Sequence, residues 1–248
     1  GGLTLEVNGQ GEKLVDSLLN IVKKNGIKIQ YDTAVTELIY KKKIVCGVKI
    51  LHKKKIKKIF SKSVILACGG FESSSKMRKK HLGVGWEAAK VRGTRHNTGD
   101  GLSMALKIGA MPFGNWSGCH AVFHDMNGPE FSDLKISNKY RKISYPWGIV
   151  LNLKGERFVD EGEDFRNFTY AKFGREVINQ PKQVGWQIFD KKVRHMLYPE
   201  YDVKSATMVK ANSIKDLIYK IKGMNRSKAL KTIFLSVSYT HLTLPTNA

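Results

Sequence analysis

Between Glu12 and Gly70 the hydrophobic period changes three times, and that order confines the chain to an α/β unit. Leu14, Val15, Leu18, Leu19 and Val22 recur at helical spacing, and Asn25-Gly26 stops the pattern, so a helix is predicted over Glu12 to Lys24. Ile27, Ile29 and Tyr31 then alternate, followed by Ala34 to Tyr40 and a lysine-rich hairpin. Val64-Ile65-Leu66-Ala67 is a continuous apolar run, which reads as a strand covered on both faces. Gly69-Gly70 follows it directly. Ligands of open α/β sheets bind at that carboxyl edge, and glycine lets a backbone approach them without a Cβ between.

A second glycine-rich turn, Asn97-Thr98-Gly99-Asp100-Gly101, precedes Leu102, Met104, Ala105 and Ile108, with Gly109 as the stop. Asp100 is expected as the N-cap, and the free N–H groups of the helix start favour an anionic or electron-rich ligand. After Pro112 the texture becomes aromatic and glycine-rich, which places a domain boundary near Phe113 to Gly118. Beyond it, Gly148 to Asn152 and Gly185 to Asp190 read as strands, with Lys154-Gly155 as a turn.

The chain has 248 residues, 42% of them hydrophobic, enough for a core and incompatible with a disordered protein. Lys plus Arg number 43 against 21 Asp plus Glu, a formal charge of +22. Ten of the lysines lie between Lys41 and Lys62, interleaved with Ile44, Val45, Val48, Ile50, Ile56 and Ile59. That is the pattern of a solvated hairpin whose lysines protect strand edges. The competing reading, a basic nucleic-acid-binding module, has no RRM, KH or zinc-finger spacing behind it, so no nucleic-acid partner is expected. Cys46, Cys68 and Cys119 are scattered, which predicts neither disulfides nor a metal site and suggests a reducing, cytoplasmic setting. No run approaches the roughly 18 apolar residues of a transmembrane segment. Gly1-Gly2 at one end and SVSYTHLTLPTNA (Ser236 to Ala248) at the other look foreign to the rest, and the chain reads as a piece of a longer protein.

Three motifs in order, ILACGGF (Ile65 to Phe71), NTGDGLSMALKIGA (Asn97 to Ala110) and LNLKGERFVDEG (Leu151 to Gly162), resemble the FAD-dependent fumarate reductase and succinate dehydrogenase flavoprotein superfamily. The stretches KVRGTRHNTGDG, GNWSGCHAVFHD, SYPWGIVLN and FVDEGEDFRNFTYAKFG look most like its tricarballylate dehydrogenases. The resemblance implies α/β architecture: a partial, Rossmann-like FAD-binding domain with a β-meander over residues 1–113, an α+β capping domain over 114–235, and a non-native tail over 236–248. The dinucleotide fingerprint GxGxxG is absent from this sequence. Ala67, Gly69 and Gly70 match the turn beside the cofactor, with Cys68 where threonine is common, and Thr98, Gly99, Asp100 and Gly101 match a flavin contact.

His120 stands at the position of a histidine that touches a substrate carboxylate, with Ala121 and Val122 replacing the usual Pro and Thr. Arg166 falls, with one extra residue in the spacing, at the arginine that exchanges a proton with the substrate carbon. Arg92, Arg95 and Arg141 are further cations for a di- or tricarboxylate. The implied activity is oxidation of a carboxylate-flanked CH–CH bond, tricarballylate to cis-aconitate, with electrons passed to an unidentified acceptor. A fumarate- or urocanate-type reductase is the alternative.

Overall fold

The computed structural model describes residues 7–133, 135–136 and 138–240. Packing divides the chain into two compact units, one of residues 1–66 with 104–110 and one of 67–103 with 111–248. The division cuts through 1–113, because both glycine-rich turns pack within the second unit.

In the first unit, helix α1 (Gln10–Lys24) carries Glu12 in its first turn and Lys23 and Lys24 in its last, the charges that complement the helix dipole. Asn25 donates its backbone N–H to Ile21 O at 3.0 Å, and Gly26 takes φ 67°. The helix is amphipathic as expected, yet none of its residues is buried. Strands β1 (Thr33–Lys41), β2 (Ile44–His52) and β3 (Lys55–Phe60) form an antiparallel meander with Val35 opposite Ile50 and Val48 opposite Ile59. Ile39 and Ile50 are its buried apolar side chains. The lysines of β3 and of both turns are exposed, as predicted for a solvated face, and Lys49 pairs with Glu37 at 2.7 Å.

Two expected strands do not form. Residues 27–31 and 64–67 have no strand pairing among the described residues, and Ile65 is 90% exposed. An apolar run states an affinity for burial, but a strand also needs a neighbour to take its N–H and C=O groups.

The second unit is centred on β4 (Ile149–Asn152), paired antiparallel with β5 (Gly185–Ile188), with Leu151 opposite Trp186. The two-residue period of β4 sends successive side chains into different cores. Leu151 packs with Ile218 of helix α5 (Ile214–Lys220), with Ala229 and Ile233 of helix α6 (Arg226–Thr240), and with Ile221 and Met224 from the turn between them. Val150 packs with Phe123, Tyr145 and Phe173, the last from helix α4 (Arg166–Glu176). Gly174 beside it must lack a side chain, since a Cβ would strike the backbone of Ala121 and Val122.

Helix α2 (Ser75–Leu82) is capped by the Ser74 hydroxyl, which accepts from Met77 N at 3.3 Å. Helix α3 (Asp100–Lys107) begins at Asp100, so the residue expected as the N-cap lies in the first turn instead, and Gly99, at φ 82°, immediately precedes the helix. The first five residues of the expected tail lie in α6; residues 241–248 are outside the described part. Among the described residues no helix is long and apolar enough to cross a membrane.

Candidate functional site

Every residue of the candidate site lies in the second unit. Its first element is the pair of glycine turns. Gly99 donates its N–H to Gly70 O at 3.0 Å, and Ser73 N donates to Asn97 O at 2.9 Å. Thr98 donates its hydroxyl to the Asp100 carboxylate at 3.0 Å. The turns fit against each other only without side chains: a Cβ on Gly69 would lie 2.7 Å from Asn97 Oδ1, and one on Gly101 would lie 2.8 Å from Cys68 Sγ. Ala67, Gly69, Gly70, Thr98, Gly99, Asp100 and Gly101 are thus gathered into one corner, with Ala67, Gly69 and Asp100 exposed on it. The neighbouring loops are fixed by buried Arg78, which donates to the carbonyls of Glu72, Trp86, Glu87 and Ala89 at 2.5 to 3.2 Å.

The second element is a set of cations and phenols. Arg166 is the first residue of α4, a turn whose position is set by Tyr145, whose hydroxyl lies 2.6 Å from Thr169 Oγ1 and donates to Arg166 O at 3.3 Å. The Arg166 guanidinium donates to the Tyr198 hydroxyl and lies 5.1 Å from that ring's centroid. Arg141 lies over the same ring at 5.7 Å and donates to Glu200 Oε1 at 2.7 and 3.2 Å. Burial and then neighbouring Arg141 lower the Arg92 guanidinium's affinity for its proton, partly offset by Tyr170. One turn beyond Arg166 on α4, Tyr170 has its hydroxyl 2.5 Å from His120 Nε2.

Among the described residues no carboxylate pairs with Arg92 or with Arg166. Arg141, expected as a spare cation, is already neutralised by Glu200. Arg95 lies apart over Phe131, 5.9 Å from its centroid. Tyr198 thus joins Arg166 to Arg141 and Tyr170 joins His120 to the same helix, Arg92 lies close enough to Arg141 and Tyr170 to feel their charge, and Arg95 is left out. Arg92 and His120 line a cavity of about 1940 Å³ that Phe71, Phe123, Trp186 and Phe189 also face.

Behind these cations lies a buried polar network. The Asp125 carboxylate accepts from Thr207 Oγ1 at 2.6 Å, from Thr207 N at 2.9 Å and from Asn127 N at 2.9 Å, with Lys142 Nζ at 3.4 Å. Burial raises the Asp125 carboxyl, but those hydrogen bonds and Lys142 outweigh it, and the net displacement is downward. Burial, then Lys90, pushes adjacent His124 down to about 4. Among the described residues, no group of three His, Cys, Asp or Glu could hold a metal ion.

Sequence reasoning missed the structural parts played by Tyr170, Tyr198 and Glu200. The available signal was the local string Tyr198-Pro199-Glu200-Tyr201, two phenols and an acid around a proline, but its partners are 32 and 59 residues away in sequence.

Residues 4–231 match the model of a family described as FAD binding domain. A 3-oxosteroid 1-dehydrogenase of Mycobacterium tuberculosis (strain ATCC 25618 / H37Rv) is 27% identical over 199 residues, 75% of this chain and 34% of that protein. An NADH:fumarate oxidoreductase of Klebsiella pneumoniae (strain 342) is 28% identical over 228 residues, 90% of this chain and 23% of that protein. The chain thus spans about a third or less of these two relatives. Among solved structures, the open conformation of a flavocytochrome c3 fumarate reductase matches with TM-score 0.69 and 22% identity, over 95% of this chain and 40% of that one. A 3-ketosteroid delta1-dehydrogenase from Sterolibacterium denitrificans matches with TM-score 0.70 and 21% identity, over 90% and 42%. Both likenesses concern the fold, a mixed α/β arrangement.

Proposed function

Starting from a chain that belongs to the FAD binding domain family, we propose that it is part of a flavin-dependent oxidoreductase acting on a CH–CH bond beside a carboxylate, with tricarballylate as the substrate best suited to its cations. The observation that carries this reading is the set of guanidinium groups: Arg92 and Arg166 stand without a carboxylate partner among the described residues, next to an Arg141 already satisfied by Glu200. Unneutralised guanidinium forks are the groups that bind carboxylates bidentately.

FAD is the cofactor of the family, and the glycine corner fits it in kind: bare backbone, an exposed Asp100 and the N-terminus of α3. Ala67, Gly69, Gly70, Thr98, Gly99, Asp100 and Gly101 would hold it there. Bound FAD supplies hydride acceptance. The chain's own groups do the rest. Arg92 and His120, the latter steadied by Tyr170, hold substrate carboxylates, and Arg166 moves the proton at the neighbouring carbon. A guanidinium serves as a base only where water is excluded and other cations crowd it; in this reading bound substrate closes the site around Arg166, which shares the Tyr198 ring with the Glu200-paired Arg141. The first 113 residues act as the FAD-binding part and 114–235 as the cap in this reading.

A second reading has its own observation. The cavity, about 1940 Å³ with aromatic lining, exceeds the several hundred Å³ usual for small-ligand pockets and accommodates a bulky ketone of the kind named for the steroid-dehydrogenase relatives. One set of assays on the flavin-loaded oxidoreductase of which the chain is part separates the readings, the chain alone being expected to be inactive: tricarballylate with a dye acceptor, fumarate and urocanate with reduced viologen, and 4-androstene-3,17-dione with the dye. Turnover of the acids and loss of it in Arg166→Lys supports the proposal; turnover of the ketone alone overturns it.

A further inference from the structure

Segment Tyr198 to Tyr201 gathers the cations of the site from two distant parts of the chain. Tyr198 accepts from Arg166 and offers its ring to both Arg166 and Arg141, at 5.1 and 5.7 Å. Glu200 takes Arg141 through its carboxylate, at 2.7 Å, and Lys142 through its main-chain carbonyl, at 2.5 Å. Tyr201 puts its ring under Lys142, 4.9 Å from Nζ. The segment is itself anchored, for Tyr198 N donates to Ser144 Oγ at 3.0 Å and Ser144 N donates to the Tyr201 hydroxyl at 2.9 Å. The Tyr201 hydroxyl also donates to Gln187 Oε1 at 2.5 Å, and Pro199 opens the single turn between the two tyrosines.

Two like charges over one ring repel each other, so neither guanidinium would choose that place from bulk water. The ring's negative face and the Glu200 carboxylate offset that repulsion, and the phenol oxygen holds the Nη1 edge of Arg166. From this geometry we infer that Tyr198 is the positioning residue for Arg166, acting through that guanidinium without contact to substrate, and that Glu200 does the same for Arg141. The inference rests on the carboxylate reading of the site only for its consequence in binding; the positioning itself is a separate matter of geometry.

The test uses the chain itself with a ¹⁵N label. Protons above an aromatic face are shielded, so the Arg166 Nε–H resonance, assigned by its loss in Arg166→Lys, is expected upfield of solvent-exposed arginines. Tyr198→Leu should return it to the exposed position, and Tyr198→Phe should keep the shift while freeing rotation of the Nη groups, since the ring stays and the acceptor goes. Calorimetry with tricarballylate as the probe should show an affinity loss of about tenfold or more in Tyr198→Leu, the size of one lost charge-assisted contact, and a smaller loss in Tyr198→Phe.

An Arg166 resonance that does not move in Tyr198→Leu overturns the inference. So does tricarballylate affinity that falls in Arg166→Lys and is untouched in Tyr198→Leu. If tricarballylate fails to bind even the unaltered chain, the carboxylate reading falls, and the resonance shift still decides whether Tyr198 positions Arg166. Should Tyr198→Leu not fold by circular dichroism, unchanged Nη rotation in Tyr198→Phe is the overturning result.

Discussion

Helix α1 buries none of its residues and the meander beside it in sequence buries Ile39 and Ile50, whereas in the second unit the short strand β4 has Val150 and Leu151 both at 0% exposure. The first unit is held by local means: a helical ladder, two tight hairpins and a strand register. The second has little regular structure around its site and is held by two apolar clusters and by polar side chains that tie remote loops together. Regular structure and dense packing are therefore separate properties in this chain, and the candidate site belongs to the unit with the larger apolar clusters, not to the one whose periodicity is clearest. All four tryptophans (Trp86, Trp116, Trp147, Trp186) belong to the second unit, so their fluorescence reports that unit while far-ultraviolet circular dichroism reports both.

The sharpest way to break this contrast is to remove one large apolar side chain from each unit. Phe173, 1% exposed between Tyr145 and Val150, should cost about 3–5 kcal/mol as Phe173→Ala, transfer and cavity terms together. Leu18, 53% exposed on α1, should cost less than about 1 kcal/mol as Leu18→Ala. Guanidinium unfolding followed by tryptophan fluorescence for the first and by circular dichroism for the second measures both. Comparable losses would show that α1 is as well packed as the core.

The polar ties come next. Asp125→Ala withdraws the acceptor of Thr207 and the partner of a Lys142 that is only 9% exposed, and should cost about 2–4 kcal/mol by leaving those groups unpaired. The first unit's counterpart, Glu37 with Lys49, has both side chains well exposed, at 41% and 37%, and its loss should be far smaller. A chemical-denaturation series on Asp125→Ala, Thr207→Val and Glu37→Ala checks the order.

Acid should act on the second unit through the same place. His124 is near 6.5 when unfolded and about 4 when folded, so between those values the unfolded chain takes up a proton that the folded one refuses. Stability is then constant above about pH 6.5, falls as pH drops toward 4 by on the order of 2–3 kcal/mol, and gains no further penalty from this group below that. Asp125, displaced downward in the fold, adds stability that is present above its unfolded value and lost as pH falls through its lower folded one. Tryptophan-monitored melts from pH 8 to 4 should decline, and His124→Gln should flatten the upper part of that decline. A curve unaltered by His124→Gln would place the acid sensitivity elsewhere.

Much of the first unit could be read from the sequence because its elements are local: α1 ends at its Asn25-Gly26 stop, and the lysine-rich hairpin forms with its lysines exposed. Val64 to Ala67 was misread for the converse reason, since composition reports apolarity and only a paired neighbour makes a strand. In the second unit β4 and the glycine turns were legible as motifs. Tyr198 and Glu200 were not, because they sit in single turns without a period and act on residues that only the fold brings near. Long-range pairing leaves no mark on a local pattern.

The smallest expected effect concerns the backbone of the first unit. Both hairpins turn on a Lys-Lys pair with positive φ: 47° and 65° at Lys42 and Lys43, 48° and 61° at Lys53 and Lys54. Two-residue turns of this hand suit the strand twist but favour Asn-Gly, because a side chain with a Cβ crowds the carbonyl in the left-handed region. Replacing Lys53-Lys54 with Asn-Gly should stabilise the β2–β3 pairing by about 1 kcal/mol, read as slower amide exchange at ladder positions such as Lys57 and Ile59. Ala-Ala at the same two positions removes the charges and keeps the Cβ atoms, and it should give little gain. If Ala-Ala stabilises as much as Asn-Gly, repulsion among the lysines limits this hairpin. If Asn-Gly alone does so, the limit is the backbone, as expected for a unit whose order is local.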